Sequence, residues 1–566
     1  MEPAALSSRM PLLVILVTSI GLFMSGAHAT ELSKPGSAVV VAAHPAAAEA
    51  GIAVLAQGGN AVDAAVATAL TLGVAEPWGS GLGGKVVLLF HHAETGKTYC
   101  IEALDQAGDQ LDTQRFIQRP RAQRAASPHA VAIPGMLAGW GEAHARWGTQ
   151  PWADLVQPAI DAAENGVLAD RYDTHAARVA VDKLTAGGLH PVFFPNGSPP
   201  SPGQPVTYPD LGQTLRTIQA HGPRSLYEGP LAERIADHLA GLGSDLTVQD
   251  FAQYQPAVHL APSVTYRGHS VYTGTPPATG GATLLLALET LQRLHPQPIA
   301  DPASRVDAMA RALYLIYPKV RRTLGGRGPA LQTLQEHLTP HALDRLARAA
   351  ADLDPSQEAQ ALAARLPHNL PTRGCTSHFI VADAHGNVVS ATQSLGHHFG
   401  SGVTVPGTGI VFNTTMVNFA VRTPSSPNYA GPGLRPRSTM TPVIALRNGQ
   451  PVLALGGAGG QRIPTMVLRA LSEALDGQNT LDQAIHQPRA HVLHAISGLP
   501  RLEVHLEPGP DAQALHDQLE RRGWRPQILP GRKMYFGGMN GITRNADGQW
   551  IGIGDDRRTN AARVLP

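Results

Sequence analysis

Apolar residues form short unbroken runs toward both ends of the chain and recur at helical spacing through its middle. The first run, residues 10–24, follows Arg9 and precedes Ala27-His28-Ala29, a small-x-small cleavage pattern. Residues 1–29 therefore read as a secretory signal peptide. The run falls short of the ~20 residues that span a bilayer comfortably, so cleavage is expected rather than anchoring. Residues 38–43 predict a buried strand. His44-Pro45 opens a helix with Pro in its first turn, which stops at Gly58-Gly59. Asn60 with Asp63 gives a capping-box restart of a second helix over 61–73. A Gly-rich turn, residues 76–85, leads into a hairpin of residues 86–90 and 97–103 around Gly96. Residues 134–348 read as mostly helical, with apolar stripes at 151–166 and 226–242, and residues 263–274 read as extended.

The pattern changes most sharply over residues 349–375. Asp354-Pro355 ends a helix, and Pro367 and Pro371 mark an irregular stretch. From Thr376 the chain turns to β character: a run to Asp383, a turn at His385-Gly386-Asn387, and a run over 388–392. Further strands are expected at 409–413, 441–446 and 451–455. Gly456-Gly457-Ala458-Gly459-Gly460 reads as a tight loop before a helix over 463–475. The chain thus divides into residues 1–29, 30–375 and 376–566.

Composition narrows the chemistry. The 566 residues are 43% hydrophobic and 15% charged with net charge +1, which gives no reason to expect nucleic acid or an acidic membrane surface as partner. Export permits disulfides, and Cys100 and Cys375 allow one bridge that spacing cannot establish. Pairs such as His91-His92 and His397-His398 lack ligand spacing, so neither metal nor cofactor is expected.

Candidate catalytic chemistry begins at Thr376-Ser377-His378. If the chain cut itself before Thr376, the freed α-amine, titrating near ~7.7–8.0, would act as base for the Thr hydroxyl. A cut one bond earlier would make Cys375 the nucleophile instead. On residues alone, Gly456 to Gly460 fits a tight turn or a phosphate cradle, Ser394 fits a strand residue facing its neighbour's backbone, and His378 fits a residue that orients the hairpin.

The chain resembles the γ-glutamyltransferase family of N-terminal-nucleophile hydrolases. The segments that carry the resemblance run in order from AAHPAAAEAGIAVLAQGGNAVDAAVATALTLGVAEPWGSGLGG through IPGMLAGW, YEGPLAERIA, PPATGG, TSHFIVADAHGNVVSAT, FGSG and RPRSTMTP to AGGQRI. The resemblance implies an α/β fold, a four-layer αββα sandwich, and self-cleavage between Cys375 and Thr376 into large and small subunits. It implies Thr376 as nucleophile, Ser394 as its hydroxyl partner, Gly459 and Gly460 as oxyanion donors, and Ser438 and Thr439 as a hydroxyl pair holding a substrate carboxylate. The expected partners are a small-molecule amide and a water or amine acceptor.

Departures from the family pattern concern the substrate. Leu104 stands where the family places an Arg that pairs with the glutamyl carboxylate, and Leu cannot replace a bidentate ion pair. Thr415 and Asn418 stand at the positions that hold the α-amine, Gly396 replaces an Asn, and Lys85 replaces a Gly of the turn. Two acyl groups therefore compete: a γ-glutamyl amide such as glutathione, and a non-glutamyl amide. A catalytically inactive scaffold is the remaining reading.

Overall fold

The apolar runs at residues 38–42, 86–90 and 379–382 become strands buried on both faces, and the helical stripes become helices that cover them. The computed structural model describes residues 31–194, 196–362, 375–493, 502–531 and 534–566. The signal-peptide reading of residues 1–29 and part of the irregular stretch before Cys375 lie outside these residues. In chain order the strands of the two main sheets are β1 (Glu31–Leu32), β2 (Ala38–Ala42), β3 (Lys85–His92), β4 (Lys97–Ala103), β5 (Ala257–Leu260), β6 (Ser263–Tyr266), β7 (His269–Thr273), β8 (Cys375–Ala382), β9 (Val388–Gly396), β10 (Val443–Arg447), β11 (Gln450–Ala458), β12 (Gly538–Arg544), β13 (Trp550–Gly554) and β14 (Ala561–Leu565). The principal helices are α1 (Pro45–Ala56), α2 (Ala61–Ala75), α3 (Met136–Trp147), α4 (Trp152–Asn165), α5 (Thr279–Leu294), α6 (Pro302–Thr323) and α7 (Ile463–Leu475).

One seven-stranded sheet has the order β14-β2-β8-β9-β3-β4-β5, and the other β1-β13-β12-β11-β10-β7-β6. The strand pairs within them are antiparallel. Alternation along β8 separates its two faces. Phe379 and Val381 join the core formed with α1, α2, α3 and α4. Ile380 and Ala382 join a second core with Ile444, Ala454, Ile542 and Trp550 of the other sheet. That sheet turns Val443, Leu453 and Leu455 toward α5, α6 and α7. The capping box at Asn60 is formed: Asn60 Oδ1 accepts from Val62 N and Asp63 N at 2.8 and 3.0 Å, and Asp63 Oδ2 accepts from Asn60 N at 2.9 Å.

The structure corrects several expectations. Residues 409–413 form no regular strand; Val411 and Phe412 make isolated bridges to Thr404 and Gly83, because this segment is pinned to the Gly-rich turn instead of to a sheet edge. The glycine run does not begin as a loop. β11 continues through Gly456, Gly457 and Ala458, held by pairing with Asn540, Met539 and Gly538. Residues 263–274 fold back at Arg267-Gly268 into the β6–β7 hairpin. A short helix, Pro355–Leu362, follows Asp354.

Gly456 lies flat against the His378 imidazole. A Cβ there would stand 2.1 Å from His378 Cε1, so the two sheets meet at this point only because Gly456 has no side chain. Gly456→Ala is expected to lower stability by about 1–3 kcal/mol through overpacking. Adding His378→Ala to the same chain should recover part of the loss. Urea midpoints of the three proteins measure both effects, and an unshifted Gly456→Ala midpoint would contradict this contact.

Candidate active site

Thr376 occupies a break in the β8–β9 ladder. Cys375 pairs with Gly396 and Ser377 with Gln393, so Thr376 faces the two residues Ser394 and Leu395. This irregularity lets one hydroxyl reach both sides of a peptide bond. Thr376 Oγ1 donates to Ser394 Oγ at 3.2 Å, and Ser394 Oγ donates to the carbonyl oxygen of Cys375. Ser394 also accepts from Gly396 N at 2.9 Å. Thr376 is 5% exposed and Ser394 3%. Gly84 of the Gly-rich turn lies against Ser394, where a Cβ would be 2.5 Å from the Ser394 carbonyl oxygen.

Buried charge lies beside the Thr. Arg558 Nη1 donates to Thr376 O at 2.7 Å, and its Nη2 donates to Glu76 Oε1 at 3.2 Å. Glu76 Oε2 accepts from Ser377 Oγ. The Arg558 guanidinium lies 4.7 Å from the Trp78 ring centroid, and Trp78 Nε1 donates to Asp173 Oδ1 at 2.8 Å. Burial pushes the Glu76 carboxyl up to about 7, against the pull of Arg558 and Ser377. Burial, reinforced by Asp170, pushes Asp173 up to about 8.

The same arginine ties Thr376 to the glycine turn. Gly538, the ladder partner of Ala458, packs on Arg558, where a Cβ would be 2.6 Å from Cδ. Gly459 follows directly and leads into the short 3-10 turn Gly460–Arg462. Among the described residues neither the Gly459 N–H nor the Gly460 N–H meets an acceptor, as is usual where a helical turn begins. Thr439 Oγ1 donates to Gly460 O at 2.9 Å, which brings this hydroxyl to the same turn. Ser438 is buried and its Oγ accepts from Met440 N at 3.3 Å.

The remaining positions separate into a buried group and an outlier. Leu104 is fully buried and joins the core between the sheets with Ala278 and Met440. Lys85 Nζ donates to Asp105 Oδ2 at 2.9 Å and to Thr415 Oγ1, while Thr415 Oγ1 donates to Asp105. Burial pushes the Asp105 carboxyl up, with Lys85 and Thr415 pulling it back. Asn418 is not part of this group: it is exposed, and its carbonyl accepts from Asn428 Nδ2 at 2.8 Å. Gly396 has φ 94°, a conformation that glycine adopts without strain and Asn tolerates.

Cys100 and Cys375 are buried free thiols. Burial pushes the Cys375 thiol well up, which disfavours the thiolate that a Cys375 nucleophile requires. His378 donates or accepts at Nδ1 with Thr392 Oγ1, 2.9 Å away, and burial lowers it to about 3. It is a neutral hairpin residue, in agreement with the sequence reading. Glu76, Asp105 and Arg558 were given no role from sequence. Glu76 lies within a quoted motif and Asp105 follows Leu104, whereas no periodicity links Arg558 to Thr376.

The Glu76 environment has a testable consequence. The folded chain keeps a proton on Glu76 that the unfolded chain releases near 4.5. This contribution to stability is therefore full below pH 4.5, lost as pH rises toward 7, and level above it. Glu76→Gln should reduce the fall in unfolding free energy between pH 5 and 8 by about 2–3 kcal/mol. Urea unfolding at the two pH values measures it; an equal fall in both proteins would contradict the assignment.

Comparison with known proteins agrees with this architecture. The gamma-glutamyltranspeptidase family model matches residues 47–565. The chain is 32% identical over 536 residues to the acylase ACY 1 proenzyme of Pseudomonas sp. (strain SE83), covering 92% of each chain. It is 30% identical over 479 residues to the glutathione hydrolase proenzyme of Bacillus subtilis (strain 168), covering 81% of each. Cephalosporin acylase from Bacillus halodurans superposes with a TM-score of 0.82 over 94% of this chain and 97% of that one, at 25% identity. The match spans both sides of the Cys375–Thr376 bond and nearly the whole fold, and the chain belongs to the gamma-glutamyltranspeptidase family.

Proposed function

We propose that this protein is an exported, self-processing amidohydrolase or acyltransferase that works through an N-terminal Thr376. The observation that carries this reading is the hydrogen-bond chain from Thr376 Oγ1 through Ser394 Oγ to the carbonyl oxygen of Cys375. As Thr376 Oγ1 attacks the Cys375 carbonyl carbon, its proton passes to Ser394, and the Ser394 proton passes to the developing oxyanion. Collapse breaks the C–N bond, returns that proton to the departing nitrogen and leaves an ester. Water then hydrolyses the ester, giving a Cys375 carboxylate and a free Thr376 amine. The names of both relatives, proenzymes, support processing into subunits of residues 30–375 and 376–566.

In the processed enzyme the Thr376 α-amine takes the proton of its own hydroxyl as Oγ1 attacks the substrate amide. The same amine hands that proton to the leaving nitrogen. Gly459 and Gly460 offer the two unpaired N–H groups to the tetrahedral oxyanion. Water, or an amine acceptor, then releases the acyl group from Thr376. Thr439, which bonds to Gly460 O, and the adjacent Ser438 supply the hydroxyl pair that holds a substrate carboxylate. No cofactor enters this scheme. The two sheets and their helical covers support a four-layer αββα reading of the frame around it, and removal of residues 1–29 places the enzyme outside the cytoplasm. Among the described residues no helix is long and apolar enough to cross a membrane.

Purified wild-type protein should separate on a denaturing gel into chains of about 36 and 20 kDa. Thr376→Ala should remain one chain without amidase activity. Ser394→Ala should slow self-cleavage by about 10²–10³-fold, the loss typical of one oxyanion donor. A Thr376→Ala chain that still divides at this bond would disprove the processing step.

A further inference from the structure

Ser394, Lys85 and Leu104 form a row running away from Thr376 across adjacent strands. Ser394 pairs directly with Lys85 across the β9–β3 ladder. Val86 pairs with Ala103, which sets Leu104 beside Lys85 at the end of β4. Alternation places all of them on one face: Val87 and Leu89 belong to the core between the sheets, while Val86 and Leu88 face the helices. Thr376, Ser394, Lys85 and Leu104 thus cross adjacent strands on the face turned to the second sheet. At ~4.8 Å per strand, Lys85 lies about 10 Å and Leu104 about 14 Å from Thr376.

The charges along this row are closed in pairs. Lys85 and Asp105 have side-chain exposures of 3% and 0%, and Thr415 bonds to both. The second Asp105 oxygen accepts from Gly135 N at 3.3 Å. Glu102, the next carboxylate, pairs with Arg435 at 3.3 Å. Along this row, among the described residues, each buried carboxylate is thus matched by a cation of the protein, and a buried charge without a partner is strongly disfavoured.

We propose that Lys85 is a specificity-determining residue: its ammonium is the built-in counter-ion of Asp105, so the site selects acyl groups that carry no ammonium of their own. This rests on the reaction proposed above. Removal of Lys85 down to glycine would vacate its volume beside the Asp105 carboxylate, and an ammonium on the acyl group would then take its place.

The test compares two anilides that differ by one ammonium, glutaryl p-nitroanilide and γ-glutamyl p-nitroanilide. The wild-type enzyme should favour the glutaryl compound by at least tenfold in kcat/KM. Lys85→Gly should move that ratio toward the γ-glutamyl compound by at least tenfold. Equal or better γ-glutamyl turnover by the wild type overturns the proposal, and this reading stands even if the Lys85→Gly chain does not fold. An unmoved ratio in a folded, self-cleaved Lys85→Gly enzyme overturns it as well. The two levels separate cleanly: a wild-type chain that does not cut itself counts against the reaction, while a cut and active enzyme without preference counts only against Lys85.

Discussion

The site depends on one irregularity of pairing, the place where Thr376 opposes two residues of β9 instead of one. In a regular ladder the side chain of residue 394 would stand opposite a single partner and could serve only that partner. The extra residue shifts Ser394 so that its hydroxyl lies between the Thr376 hydroxyl and the Cys375 carbonyl. It also takes the Thr376 carbonyl out of the ladder, and Arg558 receives it. Such breaks re-aim side chains and recur beside active sites. Here the surrounding packing leaves little freedom, because Gly84 closes on the Ser394 backbone and Gly456 on the His378 ring.

Much of this arrangement was legible in the sequence. The capping box at Asn60, the two Ala-rich helices, the β3–β4 hairpin and the turn from helices to strands at residue 376 all follow from local patterning. The row across the sheet was not legible, since strand register is fixed by long-range pairing. Nothing local tells that Ser394 stands opposite Lys85, or that Arg558, near the chain's end, reaches back to Thr376. The glycine run was misread for a related reason. Gly and Ala are weak strand formers on their own, and Gly456 to Ala458 are held extended by β12, a segment far along the sequence. Conversely, residues 409–413 look strand-like by composition, yet Asn413 fastens them to Gly83 and Ala132 through its side chain.

Two buried ion pairs flank the threonine, Glu76–Arg558 on one side and Lys85–Asp105 on the other. Neither is strong evidence of stability, because desolvation offsets most of the attraction, but breaking one partner away leaves a costly buried charge. Their value lies in geometry. Arg558 touches the Thr376 carbonyl and Gly538 at once, so it couples β8 to β12, the strand paired with the one that ends in the glycine turn. Glu76 holds Ser377 by its hydroxyl and so fixes the residue next to Thr376.

Lys85 and Thr415 act on the same carboxylate, and belong together for that reason. Without Lys85, Asp105 would be buried beside Leu104 without a counter-ion. Lys85 supplies that counter-ion from the adjacent strand, and Thr415 completes its hydrogen bonds. Leu104 packs in the core between the sheets, where a charge would be buried without a partner. Lys85, Asp105 and Thr415 form a coupled set, since removal of one leaves the buried polar groups of the others without a partner. Single substitutions back toward a charged clamp would strand a buried charge, so a change of acyl preference toward ammonium-bearing groups has to begin with Lys85.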